Sequence, residues 1–160
     1  MLMATQHKNL SDYSTDQLPD VAQKTFALLV SEWNEEITEP LANGALATLR
    51  HHGVSDDRIV LHRVPGSFEL PLAAQKMAIR TDVDAVICLG CVIQGETPHF
   101  DYVCQAVALG IKDVALKYDK PVIFGVLTTD NLQQAQDRAG GKHGNKGDEA
   151  AITAIKMLAF

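Results

Sequence analysis

Positive charge is in short supply in this 160-residue chain: 14 Lys and Arg stand against 20 Asp and Glu, for a net charge of −6 and a pI near 5.4. That balance argues against non-specific nucleic-acid binding and against an anionic membrane surface. It leaves room for a small phosphorylated ligand, which needs only local positive charge. Cysteine is scarce too, at three residues, Cys88, Cys91 and Cys104. An odd number and no recognisable signal peptide point to a reducing cytosol. The Cys88–Cys91 spacing could mark a redox or metal pair, but both residues lie in an apolar run read as a strand. Residues three apart on a strand face opposite ways. No second pair completes a zinc site, so small buried hydrophobes are the better reading. No apolar run approaches the roughly 18 residues of a membrane helix. The six histidines form no metal-binding pattern, and no internal repeat or low-complexity tract is evident.

What the chain does contain is a repeated strand–helix alternation. Phe26–Val30, Arg58–Val64, the run from Asp84, and Pro121–Leu127 read as buried strands. Helices follow each: Glu39–Pro40 opens one that closes at Gly53, Phe68–Arg80 forms the second, Asn131–Ala139 is short, and Asp148–Leu158 is the last. The third helix shows the clearest face, with Phe100, Val103, Cys104, Val107, Ile111, Val114 and Tyr118 at three- and four-residue spacing. Such alternation predicts an α/β domain with a parallel sheet and helices on both faces. Residues 1–24 are polar and aperiodic, and read as an arm that is disordered alone or docked on a neighbouring subunit; residues 25–160 form the domain. Gly140–Gly147 reads as a flexible basic loop, with spacing unlike that of a P-loop.

The junction after the third strand carries the chemistry. Gly95-Glu96-Thr97 precedes a helix start, with Thr97 as its cap and Pro98 at its first position. His99 follows, at the carboxyl end of a central strand, where open α/β sheets place ligands. Backbone N–H groups at such a helix start suit phosphate, and imidazole titrates near neutrality, as proton transfer requires. Taken alone, His99 could equally be a histidine packed at a helix start. Likewise Arg138 alone is more often a solvated surface residue, and Phe124 a core residue.

Five blocks occur in a familiar order: Glu32–Thr38, Val64–Pro71, Leu89–Val103, Pro121–Thr129 and Asp137–Gly147. Together they make residues 26–158 strongly resemble the lumazine synthases, which form 6,7-dimethyl-8-ribityllumazine in the penultimate step of riboflavin synthesis. The resemblance implies a flavodoxin-like three-layer α/β/α sandwich. It implies condensation of 5-amino-6-(D-ribitylamino)uracil with 3,4-dihydroxy-2-butanone 4-phosphate, releasing phosphate and water, without metal or organic cofactor. It further implies a cytoplasmic homo-oligomer, either a pentamer or an icosahedral assembly of pentamers, with active sites between adjacent subunits and riboflavin synthase as a candidate partner. The basic loop resembles that of shell-forming members.

Matched position by position, the resemblance makes His99 the catalytic histidine, with Glu149 as a carboxylate to orient it, and Arg138 a catalytic, phosphate-binding arginine supplied by the neighbouring chain. Gly95, Glu96 and Thr97 join Arg138 around the phosphate, with Lys142 contributing charge. Trp33, where the family usually has Phe, offers a stacking face for the pyrimidine, and Asn34 shapes the site beside it. Ser67, Phe68 and Glu69 match the segment that holds the ribityl chain, and Cys91, Val92 and Ile93 meet the heterocycle through their main chain. Phe124 matches a position across the subunit boundary. A non-catalytic flavin- or lumazine-binding shell protein of the same fold is the alternative; loss of the histidine or arginine would favour it, and both are present.

Overall fold

The computed structural model describes residues 8–160. Four strands, β1 (Phe26–Ser31), β2 (Ile59–Val64), β3 (Ala85–Ile93) and β4 (Val122–Thr129), form one parallel sheet in the order β2-β1-β3-β4. Five helices connect or follow them: α1 (Glu35–His51), α2 (Leu70–Ala78), α3 (His99–Tyr118), α4 (Leu132–Gln136) and α5 (Lys146–Met157). The connection from β1 goes outward to β2, then the chain returns past β1 to β3. The strand order therefore reverses between β1 and β3, and a crevice opens outside their carboxyl ends.

Strand alternation sorts the core into two layers. Phe26, Leu28 and Val30 of β1, with Ile87, Leu89 and Cys91 of β3, pack against Leu41 and Leu49 of α1 and Ala151 and Ile155 of α5. Ala27, Leu29, Val86 and Cys88 face Leu70 and Ala74 of α2 and Val107 and Ile111 of α3. The sandwich expected from the alternation is thus present. Cys88 and Cys91 point into opposite layers, and burial pushes both thiols up to about 12, with the Glu36 charge adding to Cys91. Neither forms the thiolate that redox or metal chemistry needs. No helix of the described residues is long and apolar enough to cross a membrane.

Local departures from the sequence reading have local causes. α1 begins at Glu35 rather than at Glu39, so Pro40 lies inside it. Proline has no N–H to give the Glu36 carbonyl four residues back, and the helix runs through because its buried face, Ile37, Leu41 and Leu49, is fixed by packing. Thr97 does not cap α3: the N-cap residue is Pro98, whose side chain has no oxygen to offer, and no side-chain cap bond forms. α4 is confined to Leu132–Gln136, capped by Asn131, which accepts from the Gln134 N–H at 2.9 Å. The glycine-rich basic segment is a hairpin of β5 (Ala139–Gly141) and β6 (Gly144–Asn145), with Lys142 and His143 in the turn, Gly140 at φ +102° at an irregularity of β5 and Gly144 at φ +83° opening β6.

Described residues of the polar first segment lie on their own chain. The Leu10 N–H donates to the His143 carbonyl at 2.7 Å, Ser11 donates to Asp148 at 2.6 Å, and Val21 is buried in the α1/α5 layer. The hairpin is therefore held from the side by this segment. Residues 1–7 of the expected arm lie outside the described residues.

Candidate active site

A cleft of about 360 Å³ opens at the reversal between β1 and β3. Three segments line it: Trp33 and Asn34 after β1, Gly66–Glu69 before α2, and the end of β3 with the start of α3. The Glu32 N–H donates to the Val64 carbonyl at 2.8 Å and the Trp33 N–H to Pro65 at 3.0 Å, so the ends of β1 and β2 are tied together. This leaves the indole on the rim, 74% exposed, with Phe68 at 60%. Large apolar side chains left open beside a cleft are the informative kind of exposure, and two aromatic rims suit a flat ligand.

Asn34 explains how the first segment turns. It sits in the left-handed region at φ 63°, ψ 46°, as the N-cap position of α1, and its Nδ2 donates to the Cys91 carbonyl at 2.9 Å. Asparagine tolerates this conformation better than most residues. One side chain thereby clamps the β1 exit to the β3 exit. Asn34→Ala is expected to lose both the bond and the backbone fit, at about 2 kcal/mol of stability. Asn34→Gly should recover the conformational share alone. Urea denaturation of the two variants checks this, and equal losses would assign the whole effect to the hydrogen bond.

Cys91, Val92 and Ile93 carry β3 to the cleft, where the Gln94 N–H still pairs with the Thr129 carbonyl at 2.9 Å. Beyond it the N–H groups of Gly95, Glu96 and Thr97 make no main-chain hydrogen bond. Nothing lies within 4 Å of where a Cβ would stand on Gly95. Open amides at the positive end of the 20-residue α3 are donors of the kind that suit an anion. His99, exposed at the first position of α3, stands beside them and lines the cleft with Gly95 and Thr97. Glu96 is exposed and is not among the lining residues. Gly66, Phe100 and Val103 also line the cleft, though none was expected as a site residue and Phe100 and Val103 read only as the apolar face of the third helix. Val103 lies one helical turn from His99, a spacing that would have found it.

Arg138 and Phe124 lie elsewhere. They share a second concavity of about 340 Å³ beside β4, with Thr128, Thr129, His143 and Lys146. The guanidinium is oriented by its Nη1, which donates to the Gln134 carbonyl at 2.9 Å. Lys142 lines neither concavity; it pairs with Asp137 at 3.2 Å. A hydrogen bond from the Gln133 amide, then the Lys142 charge, hold the Asp137 carboxyl below the usual carboxylate range, so this pair persists at neutral pH. Glu149 pairs with Lys146 at 2.8 Å and does not line the His99 cleft. The chain thus brings His99, the open amides, the aromatic rims and the Ser67–Glu69 segment together, and holds Arg138 and Phe124 apart from them.

Beneath the cleft, the hydroxyls of Ser31 and Ser67 are buried without a hydrogen-bond partner among the described residues, as is that of Thr38 in α1. A buried hydroxyl left unpaired costs about 1–3 kcal/mol.

The sequence model of the family described as 6,7-dimethyl-8-ribityllumazine synthase matches residues 23–160. A protein of that name from Cytophaga hutchinsonii is 62% identical over 157 residues, covering 98% of each chain. One from Parabacteroides distasonis is 56% identical, covering 99% of each, and one from Porphyromonas gingivalis is 54% identical, covering 97% of this chain and 96% of its own.

Proposed function

We propose how this chain, which belongs to the 6,7-dimethyl-8-ribityllumazine synthase family, arranges its residues for the reaction that the name describes. The chain is a transferase of riboflavin biosynthesis. It condenses 5-amino-6-(D-ribitylamino)uracil with 3,4-dihydroxy-2-butanone 4-phosphate to give the lumazine, phosphate and water.

In our reading the pyrimidine lies between Trp33 and Phe68, with the main chain of Cys91, Val92 and Ile93 along its edge. Ser67 and Glu69 take the ribityl hydroxyls. Asn34 keeps the two strand exits at fixed separation. The phosphate of the second substrate sits on the Gly95, Glu96 and Thr97 amides, with the Glu96 carboxylate turned to solvent. Its ketone is then within reach of the 5-amino group. Attack of that amine with loss of water, elimination of phosphate, and ring closure with loss of a second water each relocate a proton, and His99 accepts and returns it. Positioned acid–base groups typically contribute about 10² to 10⁴ in rate.

The observation that carries this reading is the division of the polar groups. His99 and the open amides occupy one concavity, and the oriented guanidinium of Arg138 occupies another. A phosphate on the amides needs a counter-charge; a second copy presenting Arg138 supplies it, with Phe124 beside it, whereas Lys142, expected to share the role, is already paired with Asp137. We therefore read the enzyme as a homo-oligomer; the family resemblance adds a pentamer or an icosahedral assembly of pentamers, riboflavin synthase as a candidate partner and the cytoplasm as location. The same proposal divides the chain into an N-terminal arm, residues 1–24, whose described part packs on its own chain rather than on a neighbour, and a catalytic domain, residues 25–160. A full set of polar groups favours a catalyst over a binding shell. The test is lumazine absorbance from the two purified substrates, corrected for the spontaneous reaction, on protein whose mass is followed by sedimentation. Acceleration by an oligomer is expected; a monodisperse monomer with full activity would refute the shared site.

A further inference from the structure

Ser31 closes β1, and Ser67 opens the turn into α2. Ser31 is wholly buried and Ser67 is 6% exposed, yet neither hydroxyl has a hydrogen-bond partner among the described residues. The two converge on one glycine. A Cβ at Gly90 of β3 would lie 2.5 Å from the Ser67 Oγ and 3.3 Å from the Ser31 Oγ, with Leu70 Cδ1 at 3.2 Å. The hydroxyls are therefore no farther apart than those two oxygen distances laid end to end. A change of side-chain rotamer at either serine is the movement that would bring the two oxygens into hydrogen-bond range. Ser67 lines the cleft and Ser31 does not.

Packing alone does not account for this arrangement. The layer around it is apolar, built from Leu29, Leu70 and Cys88 among others, and alanine would fill either position without burying a hydroxyl. Buried polar groups in folded proteins are normally bonded. Two orphaned hydroxyls beside one glycine, one of them lining the cleft, point to a partner that arrives with the ligand.

We propose that Ser31 is a positioning residue for the polyol chain of the substrate. When the Ser67 hydroxyl donates to a hydroxyl oxygen of that chain, Ser31 donates across Gly90 to Ser67. The pair forms a two-step relay, each bond polarising the next. Glycine at position 90 is what keeps the path between the two oxygens open. The proposal rests on the reading that the cleft takes the ribityl pyrimidine, and goes beyond it by giving Ser31 a role that no contact with ligand would reveal.

The experiment compares two non-reacting probes by calorimetric titration of the intact oligomer: 6-(D-ribitylamino)uracil, and 6-(pentylamino)uracil, whose chain has equal length and no hydroxyls. Ser67→Ala is expected to weaken the ribityl probe about tenfold and Ser31→Ala about fivefold, the size of a single hydrogen bond. The double variant should lose no more than Ser67→Ala alone, because the two act in series. Binding of the pentyl probe should stay within about twofold throughout. Equal weakening of both probes by Ser31→Ala would make Ser31 merely structural and overturn the proposal. So would an unchanged ribityl affinity, or additive losses in the double variant. Should Ser31→Ala fail to fold, Ser31→Cys, with its weak donor, carries the same comparison. Unmutated protein that binds the two probes equally would overturn the reading of the cleft and the proposal with it, and is told apart because no variant is involved.

Discussion

His99→Ala lowers the rate of lumazine formation about 10²-fold, the low end of what a positioned acid–base group contributes, and leaves the fold intact. The low end applies because the imidazole is exposed at the first position of α3, where water can carry part of the proton traffic. The fold is spared for the same reason: the buried face of α3 begins further on, at Val107, Ile111 and Val114. Substrate affinities should change little, since the pyrimidine and phosphate are held by other groups. Steady-state absorbance kinetics at several pH values, with the spontaneous rate subtracted, checks the rate. Circular dichroism and the sedimentation coefficient check the fold. A variant within twofold of wild type would move the proton transfers to another group, and the Asp101 carboxylate in the first turn of α3 would be the next to substitute.

Arg138→Ala should act on a different parameter. A forked guanidinium facing phosphate makes two charge-assisted bonds, and losing them costs about 2–3 kcal/mol. The KM for the phosphorylated ketone is expected to rise about 30- to 150-fold, with that for the pyrimidine nearly unchanged. Arg138→Lys should recover only part of this, because an ammonium is a point charge without the planar fork. The two variants together test the shared site. If His99 and Arg138 meet across a boundary between copies, unfolding, mixing and refolding His99→Ala with Arg138→Ala restores activity at about a quarter of the sites, where each half comes from the chain that kept it. A mixture as inactive as its components would place both residues in one chain's site and refute the division.

The parallel sheet and the β3–α3 junction were legible because their signals are local. An unbroken apolar run, a glycine, a proline and a three-to-four spacing suffice to place His99 at a strand end. What the sequence could not show depends on packing. Pro40 reads as a helix start, since proline is most at home there, yet the buried face of Ile37 and Leu41 extends α1 backwards through it. Thr97 reads as a cap, but the helix starts one residue too late for its hydroxyl to serve. The segment 140–147 reads as loose because glycine is rich in it, whereas Gly140 and Gly144 take positive φ within the strands of a hairpin. Ser31 gave no signal at all: a serine at a strand end looks like a turn residue, and only three dimensions bury it opposite Ser67. The separation of Arg138 from His99 was available only through family resemblance, because no periodicity encodes which concavity a residue lines.

The sheet ends at β4, and among the described residues no further strand covers that edge. A lone chain therefore carries along the eight-residue β4 an outer edge whose outward-facing main-chain donors and acceptors, those not turned to β3, have no strand beside them, a template for any extended segment. Phe124, on the same strand, is an exposed aromatic beside the Arg138 concavity. Under the proposed assembly, the surface that makes a solitary chain prone to precipitate is the surface whose burial completes catalysis. A substitution that weakens association is then penalised twice, in solubility and in flux. Cellular quality control that removes unpaired chains would, without sensing activity, preserve the active site.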